Sequence, residues 1–159
     1  MKSLMSTNIY DVSDTIIIVG SCLKKMQPKA FDRLLKISNS NGNNVYEVCL
    51  EETHINMVIT KIAGMIRTNK VKTIIFATVD KSPHCVQLHY IQEELTKLKL
   101  NYTVTFGNFV ADNDDLTAVY RDAINTSKNL KELNRLYIMD KKNKALIDNT
   151  NISKENTYA

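Results

Sequence analysis

Three cysteines and three histidines are the soft, metal-prone and redox-active residues of this chain, and most of them gather where apolar runs end. Cys22 follows Thr15-Ile-Ile-Ile-Val-Gly20. Cys49 closes Val45-Tyr-Glu-Val-Cys49, with His54 five residues on. Cys85 follows Val71-Lys-Thr-Ile-Ile-Phe-Ala-Thr-Val79 and has Asp80 and His84 beside it. Thiolates and imidazoles at such places can ligate zinc or iron–sulfur clusters, or pass electrons as thiols. Cys85 would lie about three positions into a helix, where free N–H groups favour a thiolate. His84 and His54 also fall at helix starts, where the dipole favours the neutral ring. His89 stands four residues beyond Cys85, a metal-compatible spacing on one helix face. Asp80 can ligate, cap the Ser82 turn or accept a thiol proton. Each cysteine also has the plain reading of a small buried hydrophobe.

The elements that must position these groups alternate strand and helix. Strands are expected at Thr15–Val19, Val45–Cys49, Lys72–Val79 and Tyr102–Phe106, the last reaching toward Val110. Pro28 opens a helix running to about Ser38. Thr53 caps one with an Ile55, Val58, Ile59, Ile62, Ile66 stripe. Ser82-Pro83 starts a third, buried through Leu88, Ile91, Leu95 and Leu98. Asp114 caps a fourth over Leu116, Val119, Tyr120, Ala123 and Ile124. Leu136–Asp140 and Ala145–Asp148 read as a hairpin or a continued helix. Residues 1–13 read as a flexible N-terminus, 14–148 as a single α/β domain and 149–159 as a flexible tail. This order implies a three-layer α/β fold: a mostly parallel four-stranded sheet, flavodoxin-like order 2-1-3-4, with helices on both faces. Its switch point would lie between the first and third strands. Cys22 and the Asp80–Cys85 loop would line that crevice, with Cys49 on its flank.

Several chemistries are excluded by spacing. The four glycines stand at 20, 42, 64 and 107, so there is neither a G-x-G-x-x-G dinucleotide turn nor a G-x-x-x-x-G-K-[ST] phosphate loop. No G-x-S-x-G elbow occurs, and no arginine follows Cys85 at the spacing of a cysteine phosphatase. The net charge of +4 is too small and dispersed to argue for nucleic acid. No apolar run approaches the roughly 18 residues of a membrane span, and Met1-Lys-Ser-Leu-Met-Ser6 lacks a signal-peptide core. An odd number of cysteines in such a chain points to the cytoplasm and to free or ligating thiols. A helix or an edge strand could pair two copies as a homodimer.

This layout resembles the iron–sulfur delta subunit of methyl-viologen-reducing hydrogenases, a small α/β module that relays electrons to a partner oxidoreductase. In that family a C-x-x-C pair follows the first strand, a lone cysteine ends the second and a C-x-x-x-x-C pair follows the third. Cys22 matches one member of the first pair, Cys49 the lone position and Cys85 the second member of the last pair, with Asp80 at the spacing of the first. Asp80-Lys-Ser-Pro-His-Cys85 and His89-Tyr90 have the same flavour, and the resemblance covers residues 15–95. It implies a metal or cluster site at Cys22, Cys49, Asp80 and Cys85. Two of five thiols are lost, so Asp80 or a histidine would complete an iron–sulfur cluster, zinc would take three thiolates and a histidine, or the site has decayed and holds neither. The expected function is an electron-transfer-associated module acting with a partner oxidoreductase. The alternative is a non-catalytic small-molecule- or anion-binding regulatory module whose pocket is lined by Cys22, Ser82 and His84.

Overall fold

The computed structural model describes residues 1–100 and 102–155, with side chains as far as residue 146. In chain order the elements are β1 (Lys2–Ser3), β2 (Thr15–Gly20), α1 (Leu23–Met26), α2 (Pro28–Ile37), β3 (Val45–Val48) and α3 (Ile55–Arg67). Then come β4 (Thr73–Val79), α4 (Gln87–Lys97), β5 (Thr105–Asp112), β6 (Asp115–Ala118), α5 (Arg121–Ser127) and α6 (Leu130–Glu155). They fall into two compact units, one spanning Met1–Arg121 and a second beginning at Asp122.

In the first unit the strands lie in the order β1-β3-β2-β4-β5-β6. The central four, β3-β2-β4-β5, are parallel and reproduce the 2-1-3-4 order. Two short edge strands extend it, β1 parallel to β3 and β6 antiparallel to β5. Period-two alternation divides the central strands between two layers. Ile16, Ile18, Ile74 and Phe76 pack under α3 and α4, against Val58, Ile62, Leu88 and Ile91. Ile17, Val19 and Ala77 face the other way, against Leu23, Phe31 and Leu34 of α1 and α2. Each such fully buried aliphatic or aromatic side chain contributes roughly 1.5–3 kcal/mol, so the two-sided burial holds β2 and β4 at the centre.

Outside the central sheet, three regions take definite form. At the N-terminus Lys2 and Ser3 pair with Tyr46 and Glu47, the Leu4 N–H donates to the Glu47 carbonyl at 2.9 Å, and the Leu4 side chain is wholly buried. Leu4 anchors the stretch together with Met5, Ile9 and Val12, which pack against the same core. No helix starts at Asp114. The chain turns back there, with Asn113 and Asp114 at φ 50° and 58°, the positive φ at both central positions that a type I′ hairpin turn requires. Asp112 opposes Asp115 across that two-residue loop. In the second unit, Leu136–Asp140 and Ala145–Asp148 belong to one helix, α6. Asn129 Oδ1 accepts the Glu132 N–H at its start, and Glu132–Arg135 and Asp140–Lys144 pairs brace its surface. The helix takes in residues 149–155 of the expected tail; 156–159 lie outside the described residues.

Candidate functional site

Because β2, β3 and β4 run parallel, their carboxyl ends share one edge of the sheet. β2 leads to β3 on one side, whereas β4 lies on its other side, so the β2–β4 boundary is the switch point at which open α/β sheets take ligands. Cys22, at the head of α1, and Cys85, past the end of β4, meet there with their sulfurs 3.8 Å apart. Gly20 makes the approach possible. A Cβ at that position would stand 3.1 Å from Cys85 Sγ and 3.9 Å from Cys22 Sγ, so the strand end is shaped around the sulfurs.

The surroundings of Cys22 oppose its ionisation. Burial, and then the neighbouring Cys85, push the Cys22 thiol up to about 11, and Cys49 adds a weaker repulsion. Cys49 is half-buried and Cys85 buried. The ladder register carries β3 and β2 together to Val48 and Gly20, and the Ser21 N–H donates to the Val48 carbonyl, which holds the two strand ends together. A second tie joins the β3 and β4 loops: His84 Nδ1 lies 3.0 Å from Glu51 Oε1, with both side chains largely exposed.

The helix-start argument for Cys85 does not hold. α4 begins at Gln87, so Cys85 precedes it, in a turn where its N–H donates to Ser82 Oγ at 3.3 Å. Ser82 thereby acts as the cap of that turn. Among the described residues no group of three or more His, Cys, Asp or Glu side chains is gathered closely enough to hold a metal ion. Asp80 is exposed and lines a cavity with Ser82, Thr78 and His89. His54 is the N-cap of α3, in place of Thr53, and its Nδ1 accepts the Asn56 N–H.

His89 has a different partnership from the one its spacing to Cys85 suggests. Its Nε2 lies 2.8 Å from Thr78 Oγ1 and its Nδ1 3.0 Å from Asn108 Oδ1. The Asn108 amide in turn donates to Gln92 Oε1 at 2.7 Å. Thr78, His89 and Asn108 are all buried. Burial holds the His89 pKa below the ordinary histidine range, against the opposing pull of the Asn108 bond and the Asp80 charge. The signal for this chain of bonds was present in the alternation: Thr78 continues the inward series Ile74, Phe76, and Asn108 follows Phe106 on the same face of β5.

The turn after β2, Gly20-Ser-Cys-Leu-Lys-Lys25, sits where a dinucleotide-binding sheet would carry its glycine-rich phosphate turn; here the position is occupied by a thiol. No helix among the described residues is long and apolar enough to cross a membrane. No curated protein and no solved structure matches the chain. A profile of the Rossmann-like domain family matches residues 12–154. With a mostly parallel, doubly covered sheet and a match over most of its length, the chain belongs to the Rossmann-like domain family.

Proposed function

We propose that this chain is an electron-transfer-associated module that works through the Cys22–Cys85 dithiol and acts with a partner oxidoreductase. The 3.8 Å sulfur–sulfur contact carries this reading. Two thiols in contact can close to a disulfide, releasing two protons and two electrons. The acceptor would be a disulfide on the partner. Cys22, the less buried of the two, attacks one partner sulfur and releases the other as a thiolate. Cys85 then attacks the Cys22 side of the mixed disulfide and releases the second partner thiolate. With its thiol near 11, Cys22 reacts slowly until a base takes its proton, a task that falls to the partner.

The resemblance to the hydrogenase delta subunit supports the electron-transfer class, but the residues do not fit that family's cluster. A four-thiolate cluster needs more cysteines than the chain's three, and Asp80 lines a different cavity. A second reading rests on the same distance. About 3.8 Å is the edge of a tetrahedron with metal–sulfur bonds of about 2.3 Å, so zinc could lie between the two thiolates.

The test is a redox titration of the full chain, with remaining thiols alkylated and mapped by mass spectrometry. A Cys22–Cys85 disulfide should form as a two-electron couple, tenfold per about 30 mV, with Cys49 left free. Both thiols staying alkylatable at every potential, or Cys49 taking the place of either, would overturn the dithiol reading. Zinc would instead protect both thiols under reducing conditions until a chelator is added. Anaerobic treatment with iron and sulfide should leave the protein colourless.

A further inference from the structure

The other side of the β4 end holds a second cavity, of about 280 Å³, which the thiol chemistry does not use. Its walls are apolar, from Val79, Pro83, Val86 and Val110, and two buried polar side chains, Thr78 and His89, also line it. The hydrogen bonds around them run in one direction. Asn108 Nδ2 donates to Gln92, which leaves Asn108 Oδ1 as an acceptor and puts the His89 proton on Nδ1. His89 Nε2 is then an acceptor, and it takes the Thr78 hydroxyl proton. Both ring nitrogens are occupied, and the one hydroxyl hydrogen is committed. What Thr78 has left to offer a ligand is its oxygen lone pairs. The buried polar floor therefore selects a hydrogen-bond donor.

The mouth points to the same class of ligand. Asp80 lines it with an exposed carboxylate that makes no ion pair among the described residues. The neighbouring Lys81 ammonium is matched by Asp112 Oδ2 at 2.6 Å, so the local balance is one negative charge. We propose that this cavity binds a small organic ammonium: an amine head between Asp80 and the Thr78 oxygen, with a short apolar body against the valines. At roughly 30 Å³ per water-sized group, the space admits a ligand of at most about nine heavy atoms. A carboxylate or phosphate finds no donor at the floor and the Asp80 charge at the mouth, set against only the Ser82 hydroxyl and a Lys81 already paired with Asp112.

Methyl-labelled full-length protein, titrated with butylammonium at constant ionic strength, tests this directly, with butan-1-ol and butyrate as neutral and anionic counterparts. Butylammonium should give saturable shifts at Val79, Val86 and Val110, butanol weaker ones and butyrate none. Thr78→Val keeps the shape and removes the acceptor, so it should weaken binding about tenfold, while Thr78→Ser retains it. Asp80→Asn, at an exposed position, should weaken binding about threefold. No saturable shift with butylammonium, equal affinity for all three probes, or a preference for butyrate overturns the proposal. So does undiminished binding by a folded Thr78→Val protein. Should that variant not fold, undiminished binding by Asp80→Asn overturns it instead.

Discussion

Replacing Gly20 by alanine probes the thiol pair without touching a sulfur. Gly20 ends β2 and its φ lies outside the left-handed region, so alanine meets no backbone penalty. By the unfolded-state argument alone, Gly20→Ala would stabilise by about 0.4–1 kcal/mol. Against that, the new methyl would stand 3.1 Å from Cys85 Sγ, inside ordinary contact distance, and Cys85 is buried with little room to retreat. Overpacking of this kind costs about 1–3 kcal/mol. The steric term wins, and the variant should be less stable by about 1 kcal/mol. Urea unfolding under reducing conditions measures this. In a Cys85→Ala background the obstructing sulfur is gone, and the same substitution should become stabilising by about 0.4–1 kcal/mol. The difference between the two backgrounds is a coupling of about 1–3 kcal/mol, within the range for residues in contact. Equal effects in both backgrounds would refute the account of why a glycine stands there. Gly20→Ala should also raise the potential at which Cys22 and Cys85 close, because the pushed sulfur no longer rests against its partner.

Alkylation of Cys22 should climb about tenfold per pH unit from pH 7 to about 10, because its thiol is held near 11; Cys85→Ala removes a repulsive neighbour and should speed it at pH 8, and a flat pH profile would contradict the burial argument. The His89 pKa is lowered in the folded state, so the unfolded chain binds the extra proton first. Its contribution is complete above the unfolded value of about 6.5 and is lost as pH falls from there toward the folded value, by up to about 1.4 kcal/mol per unit. Urea midpoints between pH 5 and 7.5 check this, and His89→Phe should flatten the acid limb while lowering stability at pH 7.5 by leaving Thr78 and Asn108 without their partner. Asp114 Oδ1 accepts the Lys29 N–H at 3.1 Å, capping α2, whose own N-cap Gln27 makes no capping bond and turns its Oε1 to the Asp114 N–H instead. Asp114→Ala should therefore cost about 0.5–2 kcal/mol plus the strain of a positive φ, while Asp114→Asn retains most of the stability in thermal unfolding.

Local patterning carried most of the fold. Ile16–Val19 and Ile74–Val79 read as strands buried on both faces because no polar residue interrupts their apolar runs until Thr78. The α3 stripe from Val58 to Ile66 marks one helix face in the same way. The region after Phe106 was read as a helix on those terms, where the structure has a hairpin. Leu116, Val119 and Tyr120 satisfy a helical spacing, and only the turn chemistry of Asn113-Asp114 argued for a hairpin. Leu4 was invisible for another reason: a two-residue edge strand is too short to show a period, and the free edge of β3 gives it a place to dock.

The candidate sites divide along the same line. That Cys22, Cys49 and Cys85 each follow a strand is written in the chain, and a parallel sheet then places them along one edge. Which two sulfurs touch was decided by the lateral order β3-β2-β4 and by the space left at Gly20. Thr78, His89 and Asn108 each interrupt an apolar face, which marks them as residues in need of partners. That they are one another's partners depends on how α4 sits over β4 and β5. Periodicity is a property of a few neighbouring residues and follows from backbone geometry. Contact between residues 63 apart, as at the two sulfurs, depends on packing that no local pattern records.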